Sequence, residues 1–98
     1  MFGDYIRKLR TDKGITQTEV AEKAGMQIRY LSRIENNRDN PPSEEILLRL
    51  AAALDEDPHQ MVVKAGKVPS DFKELITEDD DVFRYLKHKV EDRSKSEG

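Results

Sequence analysis

The segment Gln17–Asn36 constrains the fold most, because it specifies two short helices joined by a tight turn. Thr16 and Glu19 form a capping box, in which the Thr16 hydroxyl accepts from the Glu19 amide and the Glu19 side chain reaches back. The helix that begins there is short, since Gly25 comes only six residues after Glu19 and can adopt a positive φ. A second helix is predicted from Ile28 to Asn36.

Two short helices that pack at a steep angle make further demands on the same segment. The first helix needs a small residue where the helices approach, and Ala21 supplies it. The inward positions must be apolar, and they are Val20, Ala24, Met26, Leu31 and Ile34. Because all these requirements are met in register, the segment is predicted to be a helix-turn-helix.

The rest of the chain also has helical patterns, and no run of alternating β-branched residues predicts a strand. A short loop with two prolines and two asparagines, 37–42, separates the motif from the next predicted helix. Three further helices are predicted around the motif: one with the stripe Phe2, Ile6 and Leu9, one that opens at Ser43-Glu44-Glu45, and one from Pro58 to about Lys64.

Residues 67–90 predict a helical extension beyond the domain 1–66. One helix carries Phe72, Leu75 and Ile76 on a single face, and a last helix carries the stripe Val82, Phe83, Leu86 and Val90, with the acidic run 78–81 in the turn between them. This face either packs on the fourth and fifth helices of the same chain or is buried against a second copy. Residues 91–98 have no large apolar side chain and are predicted to be disordered.

Charge is distributed unevenly although the net charge is −3. Residues 1–38 hold eight Lys or Arg and five acids, whereas 39–98 hold nine basic and fifteen acidic residues. A basic front half could orient a protein toward a phosphate backbone.

Several function classes find no support in the residues. There is no Cys, and His59 and His88 lack metal-ligand spacing, so neither a metal nor a cofactor is predicted. No catalytic motif is present, which predicts that the protein is not an enzyme. The N-terminus lacks a signal-peptide pattern and no apolar run could span a membrane, which predicts a cytoplasmic protein without a membrane partner.

The segments QTEVAEKAG, 17–25, and YLSRIEN, 30–36, resemble the XRE family of lambda-repressor-like helix-turn-helix proteins. The resemblance covers about residues 2–66. It implies an all-α, five-helix DNA-binding domain whose third helix enters the major groove. It also implies that Arg10 and Glu35 pair across the first and third helices.

The third helix is predicted to present four side chains to base edges: Ile28, Arg29, Ser32 and Arg33. Arginine donates two hydrogen bonds to guanine O6 and N7, and an apolar side chain can touch a thymine methyl. Gln17 is expected to donate to phosphate at the start of the second helix, as the corresponding glutamine does in matching family members. Further phosphate contacts are predicted for Gln27, Tyr30, Asn36, Asn37 and Arg38, although the Asn residues could equally form turns.

The function that these patterns favour is a sequence-specific transcriptional regulator, most simply a repressor that occludes a promoter. Its predicted partners are double-stranded DNA and a second copy of the chain, because two-fold dimers can bind half-sites about 34 Å apart. The alternative is an antitoxin or regulatory subunit whose extension, 67–90, binds another protein and which autoregulates through DNA binding.

Overall fold

The computed structural model describes the backbone of residues 1–97 and the side chains through residue 95. Over this range the chain is all-helical, without a strand, which confirms the predicted fold class. The helices are α1 Phe2–Asp12, α2 Gln17–Ala24, α3 Ile28–Glu35, α4 Glu44–Leu54, α5 Pro58–Lys64, α6 Ser70–Glu78 and α7 Asp80–Glu97.

The chain forms two compact units, Met1–Lys67 and Val68–Gly98. The first unit contains α1 to α5. In this unit α2 and α5 pack on α4, while α1 and α2 pack on α3. The core that these helices share consists of side chains with almost no exposed surface: Ile6, Val20, Leu31, Leu47, Leu50, Leu54, Met61 and Val62. Burial of each such side chain contributes about 1.5–3 kcal/mol, so the inward faces of the helices fix their relative positions.

The start of α2 shows the half of the predicted capping box in which Thr16 accepts from Glu19, and the turn to α3 has the predicted left-handed Gly25. The Thr16 hydroxyl accepts a hydrogen bond from the Glu19 amide at 3.1 Å and begins α2. Gly25 ends α2 in the left-handed conformation, with φ +67°, and its amide donates to the Ala21 and Glu22 carbonyls. Ala21, the small residue predicted for the approach of the two helices, is buried, with 4% of its surface exposed.

The backbones of α1 and α3 approach closely at Gly3, which the sequence analysis did not predict. A Cβ atom at this buried glycine would lie 2.3 Å from the Ile34 carbonyl oxygen, too close for any other residue without a backbone shift. The Gly3 amide donates to Asn37 Oδ1 at 2.8 Å, which ties the start of α1 to the loop after α3. The position of this loop therefore depends on α1.

The second unit is a hairpin of α6 and α7. The acidic run was predicted to form the turn between them, but only Asp79 lies between the two helices. The Asp79 carboxylate accepts from the amides of Asp81 at 2.9 Å and Val82 at 3.2 Å, so it caps α7. The acidic run 78–81 is divided between the helices because the Asp79 carboxylate caps α7. The first amides of a helix have no partner within it, and a carboxylate at this position accepts from them.

The prediction of a disordered tail from Glu91 is wrong for the described residues, because α7 continues to Glu97. Residue 98 lies outside the described residues. Composition was a poor guide here, since extension of an existing helix gains one hydrogen bond for each residue that it orders and needs no new nucleus.

The α6–α7 hairpin carries an apolar groove between α6 and the first turns of α7, which we call the hairpin groove. None of the described residues of α6 is buried. Leu75 is 49% exposed and Leu86 is 39% exposed. The residues that line the groove are Val68, Phe72, Leu75, Ile76, Val82 and Leu86. The second unit thus has an apolar face but no buried core in α6.

Candidate nucleic-acid interface

The outer face of α3 presents the four side chains that the sequence predicts for base contact. Arg29 and Arg33 are exposed, Ser32 is partly exposed, and Ile28 at the first turn is 47% exposed. On the opposite face, Leu31 and Ile34 are buried in the core. The helical period therefore separates a packing face from a solvent face that has two guanidinium groups one turn apart.

A shallow concavity on this face brings together predicted base-contact and phosphate-contact residues. It is lined by Arg29, Ser32, Arg33, Asn36 and Arg38. The last two of these were predicted to contact phosphate, and they lie where α3 ends and the following loop begins. Three guanidinium groups around one depression give a local positive potential suited to a polyanion.

Arg33 is held by an ion pair that the sequence analysis missed. Its Nη2 atom donates to Asp39 Oδ1 at 2.7 Å. The two residues are six apart, a spacing that does not bring side chains together on one helix. The left-handed conformation of Asn37, with φ +58°, turns the chain back so that Asp39 lies beside Arg33.

Asn36 and Asn37 make intramolecular hydrogen bonds. Asn36 Oδ1 accepts from Arg7 Nη2 at 2.7 Å, and Asn36 Nδ2 donates to the Ser32 carbonyl at 2.9 Å. Asn37 accepts from the Gly3 amide at 2.8 Å. Asn37 thus forms a turn, which is the alternative that the sequence left open. Phosphate contact by Asn36 or Asn37 stays a prediction.

The Arg10–Glu35 pair that the family resemblance implies is present and connects three helices. Arg10 donates through Nε and Nη2 to the two Glu35 carboxylate oxygens at 2.8 and 2.9 Å, and through Nη1 to the Ile15 carbonyl at 3.1 Å. Gln17 Nε2 at the start of α2 donates to Glu35 Oε1 at 3.1 Å. Glu35 is fully buried, and hydrogen bonding to it raises the pKa of Arg10. The network fixes α1, α2 and α3 in one arrangement.

The other predicted phosphate contacts lie at the borders of the same face. Gln27 is exposed and precedes α3 without a side-chain capping bond. Tyr30 is half-buried, with its ring packed against the core, and Arg38 is exposed. Gln17 is half-buried and bonded to Glu35, so its side chain is held beside the first turn of α2. Phosphate contact by these residues stays a prediction.

The described residues contain no group of three His, Cys, Asp or Glu side chains arranged to hold a metal ion. Within the same range, no helix has the length and apolar character needed to cross a membrane.

The fold and the exposed arginines of α3 define a helix-turn-helix domain of the DNA-binding type. Residues 6–60 match the family model described as Helix-turn-helix. The chain therefore belongs to the helix-turn-helix family, of the XRE type that its motifs resemble.

The chain is similar to known transcriptional regulators over most of its length. It is 34% identical over 82 residues to the HTH-type transcriptional regulator SinR of Bacillus subtilis (strain 168), a match that covers 78% of this chain and 74% of SinR. A crystal structure of SinR, described as the master regulator for biofilm formation, in complex with DNA has a TM-score of 0.59 and 41% identity. That match covers 62% of this chain and 97% of the SinR chain.

A third similarity includes the extension. The structure of the SinR protein/SinI protein complex covers 96% of this chain and 99% of the matched chain, with 29% identity and a TM-score of 0.59. The C-terminal unit, and not only the DNA-binding domain, therefore has a counterpart among solved structures.

Proposed function

We propose that this DNA-binding transcriptional regulator contacts base edges in the major groove with α3 and acts as a repressor. The observation that carries the proposal is the exposed α3 face, on which Arg29 and Arg33 lie one turn apart opposite a buried apolar face. A helix fits the major groove of B-DNA, where arginine distinguishes guanine by two hydrogen bonds. A bound protein of this size would occlude a promoter that contains its site.

Base contacts are assigned to Ile28, Arg29, Ser32 and Arg33. Ile28 is exposed at the start of α3, where it could meet a thymine methyl, and the two guanidinium groups favour sites that contain guanine. The similarity to a structure of SinR in complex with DNA supports this orientation of the domain.

Phosphate contacts are assigned to the residues that border this face. Arg38 contributes a charge beside the C-terminal end of α3, and Gln27 lies at its N-terminal end. Gln17 retains one N–H and its carbonyl when the other N–H binds Glu35, so it can still donate to a phosphate at the start of α2. Such contacts position the domain and do not select a sequence.

The hairpin groove is assigned to a second copy of this chain. A two-helix hairpin whose α6 has no buried residue gains little stability from its own contacts, and an isologous dimer would bury the groove against its own copy. One five-helix domain contacts few base pairs. A two-fold dimer extends the contacted sequence, because it places two α3 helices on adjacent half-sites. The proposed function places the protein in the cytoplasm with its DNA.

A second candidate function has one observation in its favour. The similarity to the SinR protein/SinI protein complex extends over the α6–α7 hairpin. This supports an antitoxin or regulatory subunit whose hairpin binds another protein, with DNA binding used for autoregulation. Affinity purification of the chromosomally tagged protein distinguishes the two functions: a stoichiometric partner other than this chain would favour the second.

Selection of bound sequences from random duplex DNA tests the proposed function. The expected result is an inverted repeat of guanine-containing half-sites whose centres lie about one helical turn, or a multiple of it, apart. Recovery of no enriched sequence under low-salt conditions would contradict sequence-specific binding. Enrichment of a single unrepeated half-site would support α3 as the contact helix and contradict the dimer.

A further inference from the structure

The ion pair between Arg33 and Asp39 lies on the proposed base-contact face itself. Asp39 is the more enclosed partner, with its side chain 27% exposed, whereas the Arg33 side chain is 57% exposed. Arg33 Nη2 and Asp39 Oδ1 are 2.7 Å apart, within the range of a charge-assisted hydrogen bond. An arginine that points into solvent is thus attached at one end to a carboxylate that the loop holds in place.

The position of Asp39 is set by the tertiary structure. The Arg38 amide donates to the Arg33 carbonyl at 3.0 Å, and the Asn37 amide donates to the Ile34 carbonyl at 3.1 Å, so the chain turns back on the end of α3. The Gly3 amide holds the Asn37 side chain at 2.8 Å. Asp39 comes after this anchored turn and is therefore presented to Arg33 by α1 and the end of α3 together.

We propose that Asp39 is a specificity-determining residue, which positions the Arg33 guanidinium for a guanine. The inference rests on the proposed function and adds a positioning residue to its base-contact set. Only one of the five guanidinium N–H groups is used by Asp39, so enough donors remain for guanine O6 and N7. Because the side chain is already held, binding costs less rotamer entropy.

The charge of Asp39 has a second consequence for specificity. The concavity is lined by three guanidinium groups, of Arg29, Arg33 and Arg38, which would attract any phosphate backbone. A carboxylate next to Arg33 repels phosphate and so makes it less favourable for this arginine to move to the DNA backbone. Asp39 therefore lowers affinity for random DNA while it favours contact with a base.

Asp39→Asn tests the proposal, because the amide keeps the size and one oxygen but removes the charge. Affinities would be measured for the selected site, for sites with each base pair substituted, and for random duplex DNA. We expect discrimination to fall roughly fivefold at the base pair that Arg33→Ala also relaxes. Affinity for random duplex should rise, and in the Arg33→Ala background Asp39→Asn should not change discrimination further.

Glu45→Gln is the matched control, since it also removes an exposed carboxylate that pairs with an arginine, Arg49, at 2.9 Å on α4. It should leave discrimination unchanged. Thermal unfolding of each variant checks that the fold is retained. The proposal is overturned if Asp39→Asn keeps wild-type discrimination at every base pair, or if it loses discrimination equally without Arg33. A wild-type protein with no sequence preference would instead overturn the proposed function.

Discussion

Glu35 shows how a single buried carboxylate can determine the arrangement of a binding surface. It accepts two hydrogen bonds from Arg10 on α1 and one from Gln17 on α2, while its own backbone ends α3. A buried charge is tolerated only when it is paired and hydrogen-bonded, so these donors cannot move away without a large free-energy cost. The α3 face is presented in one orientation for this reason.

Glu35→Gln should lower the free energy of unfolding by about 3 kcal/mol, because removal of the negative charge leaves Arg10 largely buried without its counter-ion. Urea denaturation monitored by circular dichroism measures the change. Glu45→Gln removes an exposed charge on α4 and should change the free energy of unfolding by less than about 0.5 kcal/mol. Equal effects of the two variants would show that the buried pair contributes no special stability.

Arg29→Ala and Arg33→Ala should each weaken binding to the selected site by about 1–3 kcal/mol and relax the preference at one base pair, because each removes a proposed two-donor contact to guanine. Titrations at fixed salt with the selected site and its substituted versions measure both effects. Arg49→Ala removes an exposed arginine of α4 and should bind with wild-type specificity. Wild-type specificity in both α3 variants would disprove the assigned contact face.

At the level of elements, the α6–α7 hairpin differs from the five helices before it. Helices α1 to α5 bury their apolar faces against each other, whereas α6 has no buried residue among those described. Its groove is lined by aliphatic and aromatic side chains, which favours contact with another apolar surface over water. The hairpin groove is therefore the place to test the proposed dimer, since its residues lie outside the core that α1 to α5 share.

Leu75→Glu should dissociate the proposed dimer, because it introduces a charge into the apolar hairpin groove. Sedimentation equilibrium at tens of micromolar should give the dimer mass for the wild type and the monomer mass for the variant. Lys73→Glu, which changes an exposed residue of the same helix outside the groove, should leave the mass unchanged. A wild-type monomer, with or without DNA, would contradict the dimer.

At the level of the whole molecule, a hydrogen bond from α1 to a carboxylate connects α1 with the segment between α4 and α5. The Tyr5 hydroxyl donates to Glu56 Oε2 at 2.5 Å. Burial and this hydrogen bond raise the pKa of Tyr5, and the same hydrogen bond lowers the pKa of Glu56. The folded state therefore favours a protonated phenol.

The sign of the resulting pH dependence is set by the raised pKa of Tyr5. Its contribution to stability is present below the pKa of an unfolded tyrosine, about 10, and is lost as pH rises above that value. The free energy of unfolding should thus fall more steeply between about pH 10 and pH 12 in the wild type than in Tyr5→Phe. Urea denaturation across this range measures the two slopes, and Tyr85→Phe, an exposed ring on α7, should match the wild type. Parallel slopes in wild type and Tyr5→Phe would contradict the role of the phenol.

The sequence alone determined α2, α3 and the turn between them. The capping box at Thr16, the left-handed Gly25 and the apolar periodicity predict α2 and α3 with their turn, because these features act through hydrogen bonds and φ angles within a few residues. The exposed positions of Arg29 and Arg33 result from the same helical period. The family resemblance supplied the Arg10–Glu35 pair, which spacing by itself does not predict.

Only the tertiary structure decided the contacts that no local sequence pattern predicts. The close approach at Gly3, the Asn37 anchor and the Arg33–Asp39 pair depend on where α1 meets the end of α3. Local sequence patterns specify helices because the hydrogen bonds of a helix join residues close in the chain. A buried charge or a loop finds its hydrogen-bond partners only after the helices have packed together.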